Sequence, residues 1–256
     1  LKNMAGLHLI QTYSSDSDED EHDEKRKDDH KIVNKLALPA SILSWKGITY
    51  NEEVIDDPLD HDGRIRSFKH ERGNWATLIY INYTPSDCLD TWMKSVLNKL
   101  PVQGTIISSL HISLSRTVVL KFHWIESFVE GIKLACRSFN KFIIQLTDVK
   151  VYCNEERTRT FLGIYCQDED RMLKCLTEVF DNLLADYQLP SFYKDTSYHI
   201  SFFWCLGDKR ACLKEILPSL TSSLNKFLVE NVEDAYVHVN DIQCKIGNKC
   251  YTFKLK

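Results

Sequence analysis

A short motif occurs twice in apolar surroundings, and it limits the folds open to this chain more than any other feature does. The first copy is residues 110–114 (LHISL), and the second is residues 198–202 (YHISF), with the two histidines 88 positions apart. Side chains at positions i and i+2 of an extended strand point to the same face. The sequence therefore predicts two strands that each present one imidazole and one hydroxyl, with the central isoleucine on the other face.

Apolar periodicity around the motifs predicts an alternation of strands and helices. The predicted helices are 85–100, 124–139, 168–184 and 208–227. The predicted strands are 75–81, 105–114, 142–153 with an interruption near Asp148, 160–166, 197–204, 235–239, 242–246 and 251–255. When the chain is divided before residue 155, each half contains a helix that leads into a His-x-Ser strand, which indicates an internal duplication. The predicted fold class is α/β (α+β), with two pseudo-symmetric lobes around a central cleft. Each lobe is expected to be an antiparallel sheet with helices on its outer face.

The N-terminal segment has a different composition from the rest of the chain. Residues 14–29 contain no aliphatic or aromatic residue, so they cannot bury enough apolar surface to offset the entropy lost on ordering. We predict a disordered acidic tail at residues 1–36 and one bilobal domain at residues 37–256. The tail carries nine acids and six bases, so the net charge of −4 leaves only −1 for the domain. A domain near neutrality favours an enzyme that binds the end of a strand over a long basic groove.

Cysteine spacing and hydropathy exclude several other classes. The nine cysteines occur singly, without a Cys-x-x-Cys pair, so the sequence predicts no structural zinc site. No apolar run approaches the roughly 18 residues of a membrane span, and no charged-then-apolar leader is present. We expect a protein that stays inside the cell, with no membrane association.

Two histidines that face one phosphate suit the transesterification of an RNA phosphodiester. This reaction needs a base for the ribose 2′-hydroxyl and an acid for the leaving 5′-oxygen, and two histidines can hold opposite protonation states at one pH. Serine hydroxyls would donate to the non-bridging oxygens, where charge builds up. His111 and His199 are therefore the predicted catalytic residues, Ser113 and Ser201 are predicted to bind substrate, and no metal or other cofactor is required. The sequence does not decide which histidine is the acid.

Two buried structural histidines are the alternative interpretation. A single His-x-Ser carries no weight. Both copies, however, share the central isoleucine, an apolar or aromatic residue before the histidine and an apolar residue after the serine. They also occupy matching places in the predicted order of elements, which favours the catalytic interpretation. His123 and His238 lack this context and are interpreted as structural.

Four segments resemble one protein family. They are LHISLSRTVVLKFHWI (110–125), VKVYCNEERTRTFLGI (149–164), FYKDTSYHISFFWCLGD (192–208) and CKIGNKCYTFKLK (244–256). Together with the paired motifs, they make the chain similar to the U6 small nuclear RNA 3′-end phosphodiesterase family of the 2H phosphoesterase superfamily. The resemblance runs from about residue 66 to the end, and residues 37–60 show none.

The resemblance implies a nuclear 3′-to-5′ exoribonuclease. Such an enzyme trims the terminal uridines of U6 small nuclear RNA and leaves a terminal 2′,3′-cyclic phosphate. The family's catalytic histidines match His111 and His199, and the resemblance implies His199 as base and His111 as acid. An aromatic residue that stacks on the terminal base falls on Tyr193, and base stacking on a ring tolerates different bases. We expect a monomer whose partner is the RNA 3′ end.

Three further residues are expected at the same site. Ser197 and Tyr198 directly precede His199 and are predicted to line the site through side chain or backbone. Glu155 lies at a predicted turn where the resemblance implies an amide that contacts the base, so this chain departs from the pattern there. Two other functions stay open: a phosphodiesterase that acts on 2′,3′-cyclic phosphates of other RNAs, and a nucleotide-binding module without turnover.

Overall fold

The computed structural model describes residues 71–256, together with Gly63 and Phe68. These residues belong to the unit that spans Val54–Lys256. The predicted disordered tail, residues 1–36, lies outside the described residues, and so does the start of the predicted domain.

The described part contains ten strands and five α-helices. The strands are β1 (Asn74–Asn82), β2 (Thr105–Ile106), β3 (His111–Ser113), β4 (Val118–Lys121), β5 (Phe142–Cys153), β6 (Arg159–Gln167), β7 (His199–Leu206), β8 (Tyr236–Val239), β9 (Asp241–Ile246) and β10 (Lys249–Lys254). The α-helices are α1 (Asp87–Leu97), α2 (Ile125–Cys136), α3 (Met172–Asp186), α4 (Arg210–Lys214) and α5 (Leu217–Glu230). In this part of the chain, none of the helices has the length and apolar character needed to cross a membrane.

All ten strands join in one antiparallel sheet. Its main order is β10-β9-β1-β3-β7-β6-β5-β8, and at its sides β4 pairs with β1 and β2 pairs with β7. The fold is therefore mixed α+β with a single curled antiparallel sheet. The prediction of one sheet per lobe needs correction, because Ile112 of β3 pairs with Ile200 of β7 and joins the two sides.

The predicted division of the chain before residue 155 is also wrong. Strand β5 precedes this residue, yet it pairs with β6 on the β7 side of the sheet. The C-terminal hairpin β9–β10 pairs with β1 on the other side. An open strand edge exposes unpaired N–H and C=O groups. The edge of β1 is covered by β9 from the other end of the chain, and the edge of β6 is covered by β5, its neighbour in sequence. Spatial halves and sequence halves therefore differ.

The core lies on one face of the sheet, against the helices. Ile112 and Ile200 at the centre of the sheet are both 0% exposed. Trp92 of α1 packs edge-on against Phe202 of β7, with ring centroids 5.9 Å apart. Because alternate residues of a strand point to opposite faces, the histidine and serine positions of β3 and β7 project from the other face.

One predicted strand, 105–114, is in fact two strands separated by a loop. Ile106 faces Phe203, and Ile112 faces Ile200. Ile106 and Ile112 are six residues apart, whereas their partners on β7 are only three residues apart. The extra residues between Ile106 and Ile112 therefore form a loop outside the sheet. The resulting loop supplies a backbone carbonyl to the first His-x-Ser strand.

Two of the predicted helices differ from the observed ones: one begins later, and one is divided in two. Helix α3 starts at Met172, and the carboxylate of Asp168 accepts hydrogen bonds from the N–H groups of Leu173 and Lys174, at 3.1 and 3.0 Å. The predicted helix 208–227 is divided into α4 and α5. Proline lacks an N–H group and fits the first turn of a helix, and Pro218 lies in the first turn of α5.

Candidate active site

The four motif side chains lie together on the face of β3 and β7 opposite to the core. The pairing of the two central isoleucines places His111 opposite Ser201, and Ser113 opposite His199. Directly opposed residues have Cβ atoms roughly 4.5–5.5 Å apart, and diagonal neighbours such as the two histidines lie roughly 7–8 Å apart. Both rings can therefore reach one tetrahedral phosphoryl group between the strands.

Each imidazole is held by the backbone two residues before it. Nδ1 of His111 lies 3.2 Å from the carbonyl oxygen of Ser109, and Nδ1 of His199 lies 2.7 Å from that of Ser197. A carbonyl oxygen accepts only from a protonated nitrogen, so Nδ1 carries the proton in both rings. In the neutral ring Nε2 is then an acceptor, and in the cation it is a donor. The arrangement equips Nε2 of each ring for proton transfer.

His199 lies against an aromatic ring. Tyr152 of β5 stacks on its imidazole with centroids 3.6 Å apart and planes 13° from parallel. The tyrosine hydroxyl lies 3.2 Å from Oγ of Ser197. Gly163 makes room for this stack, because a Cβ there would lie 3.1 Å from the His199 ring and 3.2 Å from the Tyr152 ring. The ring of His199 is thus fixed by a stack and by a hydrogen bond.

His111 has a different aromatic neighbour. Tyr80 of β1 meets its ring edge to face, with centroids 5.4 Å apart and planes at 68°. The hydroxyl of Tyr80 lies 3.5 Å from Sγ of Cys250. The two histidines therefore have unequal surroundings although their motifs are alike.

The pKa values of both histidines are lowered. Burial lowers the pKa of His111, and its hydrogen bond to Ser109 opposes this effect. The pKa of His199 falls to about 4, because burial and the positive charges of His111 and Lys150 outweigh the hydrogen bond to Ser197. Both rings favour the neutral form, and an anionic phosphate placed between them would stabilise a proton on one.

Lys150 lies on the same face as His199. Its Nζ is 3.2 Å from the centroid of the Tyr165 ring. Tyr165 is the residue of β6 that pairs with His199 of β7. The ammonium group therefore lies beside the second histidine, where it disfavours the imidazolium form.

Lys150→Met is expected to move the acidic, ascending limb of the pH profile of kcat/KM to higher pH. Removing the neighbouring positive charge raises the pKa of His199, so the neutral base form appears later as the pH rises. Profiles of kcat/KM against pH measure the shift. Lys245→Met is the matched control, since this exposed lysine lies on β9, beyond β1. A limb that moves to lower pH, or that moves equally in both variants, would contradict the assignment.

Tyr193 and Glu155 meet at one side chain, Arg116. The guanidinium carbon of Arg116 lies 4.1 Å from the centroid of the Tyr193 ring. Its NH1 donates to Oε2 of Glu155 at 3.0 Å. Arg116 follows the last residue of β3 by three positions. The structure thus brings the two predicted binding residues to the segment that continues from the first motif.

Ser197 and Tyr198 have different positions. Ser197 contacts His199 through its carbonyl and Tyr152 through its hydroxyl. Tyr198 points the other way: its hydroxyl lies 2.9 Å from Oγ1 of Thr177 in α3, and its side chain is only 6% exposed. The expectation that the Tyr198 side chain lines the site is therefore corrected, because neighbours along an extended strand face opposite sides.

Sequence reasoning missed Lys150, Tyr152 and Arg116. Alternation along β5 indicates that Lys150 and Tyr152 share a face. Whether that face is the one with the histidines depends on the register between β5 and β6, which shifts between Leu146 and Val149. The predicted interruption near Asp148 is confirmed by this bulge. The sequence does not give the register between β5 and β6, so the two side chains were not predictable as neighbours of His199.

Several known proteins are similar to this chain. The model of the HVSL family, described as an uncharacterised conserved protein, matches residues 36–254. The U6 snRNA phosphodiesterase 1 of Xenopus laevis is 38% identical over 250 residues, which cover 95% of this chain and 98% of the relative. That of Drosophila melanogaster is 39% identical over 210 residues, with 80% and 79% covered. The structure of Kluyveromyces marxianus Usb1 is 16% identical in sequence, with a TM-score of 0.51 over 70% of this chain and 97% of that chain. The structure of the same protein with uridine monophosphate has a TM-score of 0.50 over 70% of this chain and 98% of that chain.

Two His-x-Ser strands paired on one face of an antiparallel sheet, in a chain similar to known phosphodiesterases, define its class as a phosphodiesterase with paired histidines. Within that class, the chain belongs to the U6 snRNA phosphodiesterase 1 family. The predicted family is thereby confirmed. The matched range begins at residue 36, so the similarity starts earlier than the predicted residue 66 and includes residues 37–60.

Proposed function

We propose that this protein is a 3′-to-5′ exoribonuclease that shortens the oligouridine end of U6 small nuclear RNA. The observation that carries the proposal is the side-by-side pairing of the two His-x-Ser strands. The substrate is supported by the relatives in Xenopus and Drosophila, whose names specify a U6 snRNA phosphodiesterase. The Kluyveromyces marxianus relative with uridine monophosphate supports a uridine site.

The reaction is a transesterification at the last phosphodiester bond. The 2′-hydroxyl of the penultimate nucleotide loses its proton to a base and attacks the phosphorus atom. The bond from phosphorus to the 5′-oxygen of the terminal nucleotide breaks, and an acid protonates that oxygen. In the first round the products are a terminal nucleoside and an RNA that is one residue shorter with a 2′,3′-cyclic phosphate. In each later round the released group is a nucleoside 2′,3′-cyclic phosphate. Neither step requires a metal ion.

His199 is the base and His111 is the acid. The neighbouring charges of His111 and Lys150 add to the burial of His199 and lower its pKa to about 4, so this ring is neutral and accepts a proton at Nε2. His111 has a lowered pKa without a second charge among its causes. It is the ring that gains a proton more readily when the phosphate anion binds between the two.

The serines act on the phosphate rather than on the proton transfers. Ser201 lies opposite His111 and Ser113 lies opposite His199, so their hydroxyls flank the phosphoryl position from both strands. Donors directed at the non-bridging oxygens stabilise the charge that develops in the transition state. Ser197 holds the His199 ring through its carbonyl group.

The terminal base stacks on Tyr193. Its ring is 44% exposed, and a base on an aromatic ring contributes roughly 1–3 kcal/mol. Glu155 pairs with Arg116 at 3.0 Å, so its carboxylate acts through that residue. A direct contact from Glu155 to the base is therefore not part of the proposal.

The proposal includes two pseudo-symmetric lobes, a monomeric state and a nuclear location. Counted outward from the paired strands β3 and β7, each side of the sheet has four strands, in the orders β3-β1-β9-β10 and β7-β6-β5-β8. This equal arrangement supports two pseudo-symmetric lobes around a central cleft. A domain that binds one RNA end needs no second copy, so the protein is a monomer. A U6 small nuclear RNA substrate supports a nuclear location.

Incubation with oligouridine in excess chelator tests the proposal. The expected result is stepwise shortening from the 3′ end, with a cyclic phosphate on each product. Denaturing gels measure the shortening, and mass spectrometry identifies the cyclic phosphate. Unchanged RNA, or cleavage that the chelator stops, would overturn the proposal. Oligouridine that already ends in a cyclic phosphate separates the sister activity, because that enzyme would open the ring without shortening the chain.

A further inference from the structure

Arg116 joins three segments that surround the cleft. It follows strand β3, its NH1 pairs with Glu155 in the turn between β5 and β6, and its guanidinium covers the ring of Tyr193 in the segment before β7. A cation within about 6 Å of an aromatic centroid is attracted by the ring, more strongly when partly buried. The Arg116 side chain is 29% exposed and that of Glu155 is 62% exposed. The arginine is thus the more buried member of the pair.

The backbone of Arg116 is anchored. The hydroxyl of Ser115 donates to the carbonyl oxygen of Arg116 at 2.9 Å and accepts the N–H of Ile79 in β1 at 2.9 Å. The side chain therefore extends from a fixed point next to the first motif. Its position does not depend on a mobile surface contact.

The guanidinium combines a hydrogen bond to Glu155 with a contact to the Tyr193 ring. Nε of Arg116 is buried and has no hydrogen-bond partner among the described residues. Buried donors usually have a hydrogen-bond partner. The guanidinium carbon lies over the Tyr193 ring, 4.1 Å from its centroid.

We propose that Arg116, held by Glu155, is a positioning residue that makes Tyr193 a one-sided platform for the 3′-terminal base. This inference rests on the proposed function and adds two residues to it. One face of the tyrosine ring is occupied by the guanidinium, so a base stacks on the other face. A ring that is fixed before the substrate arrives loses less conformational freedom on binding. Arg116 and Glu155 therefore set the affinity for the terminal base without touching the reacting phosphate.

The test compares two substrates that differ only in the terminal base. One is oligouridine, and the other ends in an abasic ribose. Arg116→Gln is expected to raise KM for oligouridine about five- to tenfold with kcat changed less than about twofold. The KM for the abasic substrate should match that of the wild-type enzyme. Glu155→Gln should change KM in the same direction by a smaller factor.

Further variants separate positioning from folding. Arg116→Lys keeps the charge without the planar group, so it should restore part of the lost affinity. In a Tyr193→Ala background, Arg116→Gln should cause no further rise in KM, because both act through one ring. Arg210→Gln removes the exposed pair with Asp208, 2.7 Å long, and is the matched control that should leave both KM values unchanged.

Each outcome has a defined meaning. A wild-type enzyme that does not shorten oligouridine refutes the proposed function itself. A wild-type enzyme that cleaves, with Arg116→Gln unchanged in KM, refutes this inference alone. An equal rise in KM for the abasic substrate also refutes it, since that result would point to a phosphate contact or a general disturbance of the site.

Discussion

His199→Ala and His111→Ala are each expected to lower kcat on oligouridine about 10³-fold, within the 10²–10⁴ range typical of a positioned acid or base. RNA affinity should change much less, because proton transfer occurs only as the transition state forms. Single-turnover rates and equilibrium titration of labelled RNA measure the two quantities. His238→Ala is the matched control: this exposed histidine lies on the edge strand β8 and should alter neither.

The pH dependence of the same variants separates their roles. The wild-type profile of kcat/KM should be bell-shaped, rising as His199 loses its proton and falling as His111 loses its own. Because both pKa values are lowered, with that of His199 at about 4, the bell should lie on the acid side of the ordinary histidine value of about 6.5. His199→Ala should remove the ascending limb, and His111→Ala the descending limb.

The contrary results are informative in different ways. Exchange of the two limbs between the variants would exchange the assigned acid and base. Full activity in either variant would contradict a reaction carried by both rings. In the complex, the bound phosphate anion favours the protonated acid, so the descending limb of kcat should lie at higher pH than that of kcat/KM.

A 2′-deoxyribose at the penultimate nucleotide should abolish removal of the terminal nucleotide. The 2′-oxygen of that residue is the attacking atom, and without it no cyclic phosphate can form. Denaturing gels and mass spectrometry measure the removal of the terminal nucleotide from an RNA that contains this single deoxyribose. The expected result is no detectable product under conditions where the all-ribose RNA is fully shortened.

The control for this experiment carries the same modification one position later. A 2′-deoxyribose in the terminal nucleotide leaves the attacking hydroxyl intact, so the first removal should proceed at close to the normal rate. Cleavage of the penultimate deoxy substrate would show that water attacks the phosphorus atom. Such a result would overturn the transesterification while leaving the two histidines as possible acid and base for hydrolysis.

Some features of the two histidines could be predicted from the sequence, and others could not. Period-two alternation was sufficient to put His111 with Ser113, and His199 with Ser201, on one face each. The unequal pKa values were not predictable, because they arise from burial and from Lys150, which is 49 positions away from His199 along the chain. The carbonyl that holds His111 depends on the loop between β2 and β3. That loop exists because β2 and β3 pair with β7 in different registers.

The wrong and corrected predictions have a common origin. Helices and hairpins form between neighbours in sequence, and most of these were predicted within a few residues. The division before residue 155 failed because β9 crosses to pair with β1, a contact between opposite ends of the described chain. Tyr198 was placed at the site by its nearness to His199, whereas strand alternation turns its ring toward Thr177.

The sequence by itself determined the chemistry of this protein: two imidazoles and two hydroxyls, repeated in strands with the same spacing. Local periodicity is enough for that, because the face on which a strand side chain lies depends only on its parity. The tertiary structure alone decided that β3 and β7 pair directly in one sheet, that Tyr152 and Lys150 adjoin His199, and that Arg116 covers Tyr193. These contacts follow from strand register and sheet order, which are set by the packing of distant segments.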